Sequence, residues 1–292
     1  MKTFVIFFTF GLISFSTAYS SNFSSEECCC SCDSGEFICS ADLLVLQPQE
    51  RGLGLCTFDV DYSVNPDGLI VSDFKGRKQH PNFKWDPGFR LGFGYDFCPF
   101  KAEILWTHFD TRARHSNEEN RIKWKLDYDT VDAIAGYAWQ ANDCLTFTPF
   151  GGARAAWIDQ SIHSEVDIEN KGSERLFGIG PLMGLDTHLS IGCGFNLYAQ
   201  ASLFWLFGNC RIDIRESFAS ENGVTQSKIK NNEHGALFGG DAALGIEWRN
   251  SLCNKEFFIR FGLEHHHYFD YNYLGDGDLA LNGAVLSCQF AF

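Results

Sequence analysis

The sequence predicts an all-β fold: a transmembrane, antiparallel, up-and-down barrel of about ten strands (10-12), with short periplasmic turns and long extracellular loops. Three observations carry this. Apolar and polar residues alternate with period 2 along almost the whole chain. Short turns alternate with long polar connections. The last strand alternates Leu286, Cys288, Phe290 and Phe292 up to a free aromatic carboxyl terminus.

The first twenty residues read as a secretory signal peptide. Lys2 is a basic start, Phe4 to Phe15 is an apolar run too short to span a bilayer, and small residues at Ala18 and Ser20 suit cleavage. Residues 21–38 are polar and Cys-rich, and they read as a flexible leader before a barrel over 39–292. The formal charge of −14, without a basic cluster, argues against nucleic acid. Beyond the signal no long apolar run occurs, so a membrane can be crossed only by strands.

The strands follow in order. Cys39–Tyr62 is strand-like, with a break at Arg51–Gly54, and it counts as one strand in a ten-strand barrel. Trp85–Phe109 holds two strands. Phe89, Leu91, Phe93 and Tyr95 alternate with Arg90, Gly92, Gly94 and Asp96, and Ile104 and Trp106 then alternate with Lys101, Glu103 and Thr107. Ile122, Trp124 and Leu126 share one parity, whereas Val131, Ala133, Ala135 and Tyr137 carry the apolar face on the other. A β-bulge near Asp129 is the expected cause.

Further strands occupy 144–160, Phe177–Asp186, Phe195–Ser217, Ala236–Arg249, Phe257–Glu264 and the C-terminus. Short turns are expected near 97–100, 141–143, 190–194 and 250–254. Long loops are expected near 63–84, 110–120, 161–173, 218–232 and 270–278.

The polar parity holds glycines and both signs of charge, as a wet lumen would, whereas Tyr95, Trp106, Trp157, Trp205 and Trp248 sit near strand ends as interfacial aromatics do. Pore-lining candidates are therefore Arg90, Lys101, Glu103, Asp132, Arg154, Asp186, Asp241, Glu247, Arg260 and Glu264. No catalytic, cofactor or metal site is expected. His265 and His267 share a strand face that could hold a metal, but no carboxylate spacing completes it. His108 with Asp110 lacks a placed nucleophile.

Twelve cysteines in an exported chain favour disulfides. Cys28, Cys29, Cys30 and Cys32 are too crowded for all of them to pair among themselves, so some are expected to pair with distant cysteines or other chains, and Cys98, Cys144, Cys193 and Cys253 all fall at short turns. Both groups are disulfide candidates, and the turn cysteines suit bridges to other chains.

WDPGFRLGFGYDF, AEILWTHFDTRA (102–113), TPFGGARAAWIDQ (148–160), GIGPLMGLDTHLSIGCGFNLYAQASLFWLFG (178–208) and the leading ADLLVLQ (41–47) resemble the major-outer-membrane-protein-like porins of Legionella and chlamydia-related bacteria. The resemblance covers most of 39–292. It implies a pore-forming outer-membrane barrel that passes small hydrophilic solutes and ions, with Arg154 matching a lumen-facing arginine. The alternative is a closed, disulfide-cross-linked structural or adhesive barrel of the envelope. Expected partners are outer-membrane lipid, the barrel-assembly machinery acting through Phe292, and either further copies or disulfide-linked envelope proteins.

Overall fold

The computed structural model describes residues 35–50, 55–64, 70–79, 83–97, 99–116, 120–166, 168–220, 223–252, 255–271 and 277–292. The signal peptide, nearly all of the leader, and Cys28, Cys29, Cys30, Cys32, Cys98 and Cys253 lie outside them.

Among the described residues every regular element is a strand: β1 (Glu36–Glu50), β2 (Leu55–Val64), β3 (Ile70–Gln79), β4 (Asp86–Phe97), β5 (Phe100–Ser116), β6 (Asn120–Tyr137), β7 (Trp139–Asn142), β8 (Leu145–Val166), β9 (Ile168–Gly192), β10 (Phe195–Ser220), β11 (Gly223–Leu252), β12 (Lys255–Tyr268) and β13 (Leu279–Ala291). Antiparallel pairing runs β6–β5–β4–β1–β13–β12–β11–β10–β9–β8, and β8 pairs back onto β6. The wall is therefore closed. Because β7 continues β6 along the edge of β8, it has ten strands.

The seam between first and last strands is paired from Ile38 opposite Ala291 to Glu50 opposite Leu279. Phe37 and Phe292 exchange backbone hydrogen bonds of 2.8 and 2.9 Å beyond it. Pairing with the C-terminal residue draws 36–38 out of the expected leader and into the wall. A closed wall leaves no unpaired edge, which hydrocarbon would penalise heavily.

Phe89, Leu91, Phe93, Ile104 and Trp106 point outward, as do Leu203, Leu244, Phe261, Leu263 and Leu286. Leu244 and Leu263 are 62% and 65% exposed, an arrangement suited to lipid rather than water. Aromatics fringe this band at both ends. Tyr95, Phe97, Phe100, Tyr137, Trp139, Phe195 and Phe292 stand beside the short turns, and Trp106, Trp157, Phe177 and Phe207 stand at the other limit.

Three expectations change. The Cys39–Tyr62 strand is two elements. β1 ends at Glu50, and β2 pairs only with β3 in a separate two-stranded sheet. The expected loops at 110–120, 161–173 and 218–232 are mostly strand, because β5 and β6 run for 17 and 18 residues and β8, β9, β10 and β11 for 22, 25, 26 and 30. Roughly 9–11 residues cross a bilayer, so these strands continue as a wall beyond the lipid.

The third change is the bulge near Asp129. β6 keeps unbroken register with both β5 and β8 through that point. Ile122, Trp124, Leu126, Tyr128, Thr130 and Asp132 all face inward and are buried, so the apolar parity changes because the interior changes, not because the strand slips.

Leu263→Arg should destabilise the barrel by about 2–4 kcal/mol near mid-bilayer. The measurement is urea unfolding in lipid vesicles. A change within about 0.5 kcal/mol, the scale of a water-exposed surface substitution, would show that this face does not meet hydrocarbon.

Candidate functional site

Inward side chains of the ten strands fill the lumen in two layers. The layer toward the short turns is ionic. Arg154 forms a bidentate pair with Asp132, Nε to Oδ1 at 2.6 Å and Nη2 to Oδ2 at 2.7 Å, and its Nη1 lies 2.7 Å from Asp241. Arg90 donates to both oxygens of Glu264 at 2.9 Å and to Asp42 at 3.3 Å.

His266 ties the two groups together. Its Nδ1 is 2.8 Å from Asp241 and its Nε2 is 3.2 Å from Glu264, so it donates to both only when both nitrogens carry a proton. Asp42 also accepts from Ser287. Nearer the turns, Arg260 and Arg249 both reach Glu247, at 2.5 and 3.1 Å, Lys101 pairs with Glu103 at 2.8 Å, and His188 lies 3.2 Å from Asp186. Cavities of about 100 and 60 Å³ remain between these groups, both touched by Arg90, Leu105, Phe150 and Gln200. They suit ordered water rather than a sugar.

Above this lies an apolar layer. Leu44, Leu46, Phe109, Trp124, Leu126, Tyr128, Ile158, Phe204, Leu206, Tyr268, Tyr271, Leu279 and Leu281 form one continuous buried cluster. The Tyr128 and Tyr268 hydroxyls meet at 2.8 Å. β6 and β12 have four strands between them in either direction round the wall, so this bond spans the barrel's diameter. Phe204 packs against Tyr268 with ring centres 5.1 Å apart and planes tilted by 56°, and receives the Arg154 guanidinium 4.4 Å from its ring centre, joining the two layers. Gly239 makes the room: a Cβ there would strike the Phe204 ring. Glycine on the inner parity thus reflects large rings opposite it.

Beyond the outer aromatic fringe, Gln160 donates to Glu50 at 3.0 Å across the lumen, and Cys210 donates to Glu174 at 3.5 Å. Tyr271 bonds the Ile158 carbonyl at 3.4 Å. Burial foremost, and the Glu174 carboxyl after it, push Glu50 well above the ordinary carboxylate range, against the hydrogen bond from Gln160.

With this geometry in place, comparison with known proteins decides the family. The family described as the Legionella pneumophila major outer membrane protein precursor matches residues 29–286. The chain belongs to it. As a major-outer-membrane-protein family member with a closed barrel, it resides in the outer membrane. No curated protein sequence matches it.

Solved structures similar to it include the outer membrane protease OmpT of Escherichia coli (8% identity, 88% of this chain and 97% of that one, TM-score 0.47). The P. putida toluene transporter TodX (8%, 89% and 90%, 0.36) and the attachment invasion locus protein Ail of Yersinia pestis (14%, 88% and 99%, 0.30) are others.

All ten predicted lumen residues face inward. Arg90, Asp132, Arg154, Asp241 and Glu264 meet in one network, and Lys101, Glu103, Asp186, Glu247 and Arg260 lie toward the turns. Sequence reading missed Asp42, His188, His266, Tyr128 and Tyr268. Strict parity from Leu44 and Leu46 back to Asp42, and from Glu264 to His266 and Tyr268, would have found three of them.

His265 and His267 do share a face, with ring centres 5.6 Å apart, but no metal-ligand group occurs among the described residues. His108 pairs with Asp129 at 2.9 Å, not with Asp110. Cys144 and Cys193 are free and exposed at the short turns, and Cys193 takes a left-handed φ of 54° in its turn.

Arg154→Met should cost about 3–5 kcal/mol, because it leaves Asp132 and Asp241 buried without their cation. Adding Asp132→Asn and Asp241→Asn should recover most of the loss in vesicle unfolding. A single-variant loss under about 1 kcal/mol would show that water already screens the pair.

The Glu50 shift carries a pH dependence. A raised carboxyl favours the fold fully below its ordinary value of 4.5, and that contribution is lost as pH rises through the folded value. Glu50→Gln should therefore raise the unfolding temperature more at about pH 8 than at about pH 4. Equal shifts at both would contradict a buried protonated Glu50.

Proposed function

We propose that the protein is a non-catalytic outer-membrane barrel, closed at rest, that serves the envelope as a structural element. The Tyr128–Tyr268 bond across the full diameter, set in the apolar layer, carries this reading. Each fully buried Leu or Phe of that layer contributes roughly 1.5–3 kcal/mol, so parting it is costly. The lumen charges are engaged with one another rather than converging on a reacting centre.

Cysteine placement supports a structural role. Cys144 and Cys193 are exposed at their turns, and Cys98 and Cys253 fall in the sequence of two more. Cys144 and Cys193 are thus placed to bridge to neighbouring envelope chains. Lipid surrounds the barrel, and Phe292, paired to Phe37, remains the proposed recognition point for assembly machinery.

The second reading is a porin for small hydrophilic solutes and ions. The charged, cavity-bearing lower lumen favours it, and its conducting state requires the apolar layer to open.

Recording from folded protein in planar bilayers separates the two. The wild type should be electrically silent, whereas Tyr128→Ala with Tyr268→Ala should give measurable currents. Stepwise wild-type conductance would overturn the closed reading in favour of the porin. In that event charge reversal at Arg154 should shift ion selectivity.

A further inference from the structure

Beyond the outer aromatic fringe the outward face is charged, and its charges are sorted. Arg114 on β5 pairs directly with Lys123 on β6, and Lys123 with His163 on β8. His163 then pairs with Lys171 on β9, Lys171 with Arg215 on β10, and Arg215 with Lys228 on β11. One uninterrupted cross-strand row over six adjacent strands is thus made entirely of basic residues.

Arg114, Lys123, Lys171, Arg215 and Lys228 are exposed, whereas their chain neighbours Ala113, Ile122, Trp124, Gly172 and Ile214 are buried or half-buried, so the row lies outside the barrel. At about 4.8 Å between strands it is about 24 Å long. The row on its lipid side adds Arg112 opposite Lys125, and Lys230.

Like charges directly opposite in a sheet are destabilising. Acids do border the row. Asp213 lies 3.5 Å from both Arg215 and Lys230, Asp127 pairs with Lys125 at 2.5 Å, and on the far side the register sets Arg121 opposite Glu165 and Glu165 opposite Glu169. In the register these acids occupy the rows on either side. The field of the basic row is felt at Asp213, whose carboxyl, despite desolvation, is held below the ordinary range by Lys230, Lys228 and Arg215.

We propose that this row is a binding site for the phosphorylated sugar headgroups of the outer-leaflet glycolipid. The clustered anionic groups of one such lipid match a line of cations that a chain of net charge −14 would otherwise have no reason to assemble. Location selects this ligand over a soluble polyanion. The lipid-facing band of these strands ends at Trp106, Trp157, Phe177 and Phe207, six to eight residues below the row, and an acidic register row of Asp110, Asp127 and Asp159 lies between. Headgroup sugars projecting from the outer leaflet are the membrane anions that reach this height. The site is independent of whether the lumen conducts.

The test uses the folded barrel in detergent, with bound glycolipid counted by native mass spectrometry. Purified phosphorylated outer-leaflet glycolipid should bind the wild type. Lys171→Gln with Arg215→Gln and Lys228→Gln should weaken binding about tenfold or more. Phosphatase-treated glycolipid should bind the wild type no better than it binds this variant. Inorganic phosphate should not displace the intact lipid at equal concentration.

Unchanged affinity in the triple variant, or indifference to phosphatase treatment, would overturn the proposal. So would displacement by heparin at concentrations below that of the lipid, which would assign the row to soluble sulfated glycans. Should the triple variant fail to fold, Arg114→Gln with Lys228→Gln, at the two ends of the row, is judged by the same criteria.

Discussion

Closure in lipid governs the rest of this structure. Once β8 returns to β6 and Phe37 to Phe292, every wall strand has two neighbours, and the backbone needs nothing from the solvent. The side chains are then divided with no freedom left. Half face hydrocarbon, and half must share the narrow interior of a ten-strand ring. Charges such as Arg90, Arg154 and Glu264 have nowhere to go but inward, and having gone inward they must find one another. The bidentate Arg154–Asp132 pair and the His266 bridge are consequences of that confinement.

The wall outlasts the membrane, and the two faces then exchange their solvents. Along β6 the outward residues pass from Val131 and Ala133 in the lipid band to Lys125, Lys123 and Arg121 beyond it, while inward residues pass from Asp132 to Tyr128, Leu126, Trp124 and Ile122. Below the fringe the strand is apolar outside and ionic inside. Above it, the strand is ionic outside and apolar inside, as in any water-soluble β protein. Buried ion pairs add little net stability even though breaking them is costly, so the apolar layer is the better candidate for what holds the outer lobe shut.

That exchange explains what could and could not be read from the sequence. The alternation, the position of the short turns and the terminal Phe292 report on local geometry and on lipid, and they located the wall, its outward band and ten inward charges. The inversion at Asp129 looked like a slip because one apolar face was assumed for the whole length of each strand. DTRARHSNEEN reads as a loop because its buried positions, Thr111 and Ala113, are small or polar, so no apolar alternation marks the strand. Tyr128 and Tyr268, distant in sequence, become partners only through the strand order.

The formal charge of −14 is the most misleading of the global descriptors, because the structure divides it. Asp42, Asp132, Asp241, Glu247 and Glu264 are enclosed in the lumen beside arginines, and Glu50 and Glu174 are buried in the outer lobe. Acids sequestered in this way contribute little to the field outside. The exposed row from Arg114 to Lys228 does the opposite, since its lysines and arginines face outward and the register sets only basic residues directly beside them. An acidic composition can thus coexist with a basic outer collar, and only the register reveals it. Net charge is therefore a poor guide to the outer surface, because the carboxylates enclosed beside the lumen arginines are counted in it while the field outside is set by the residues that face outward.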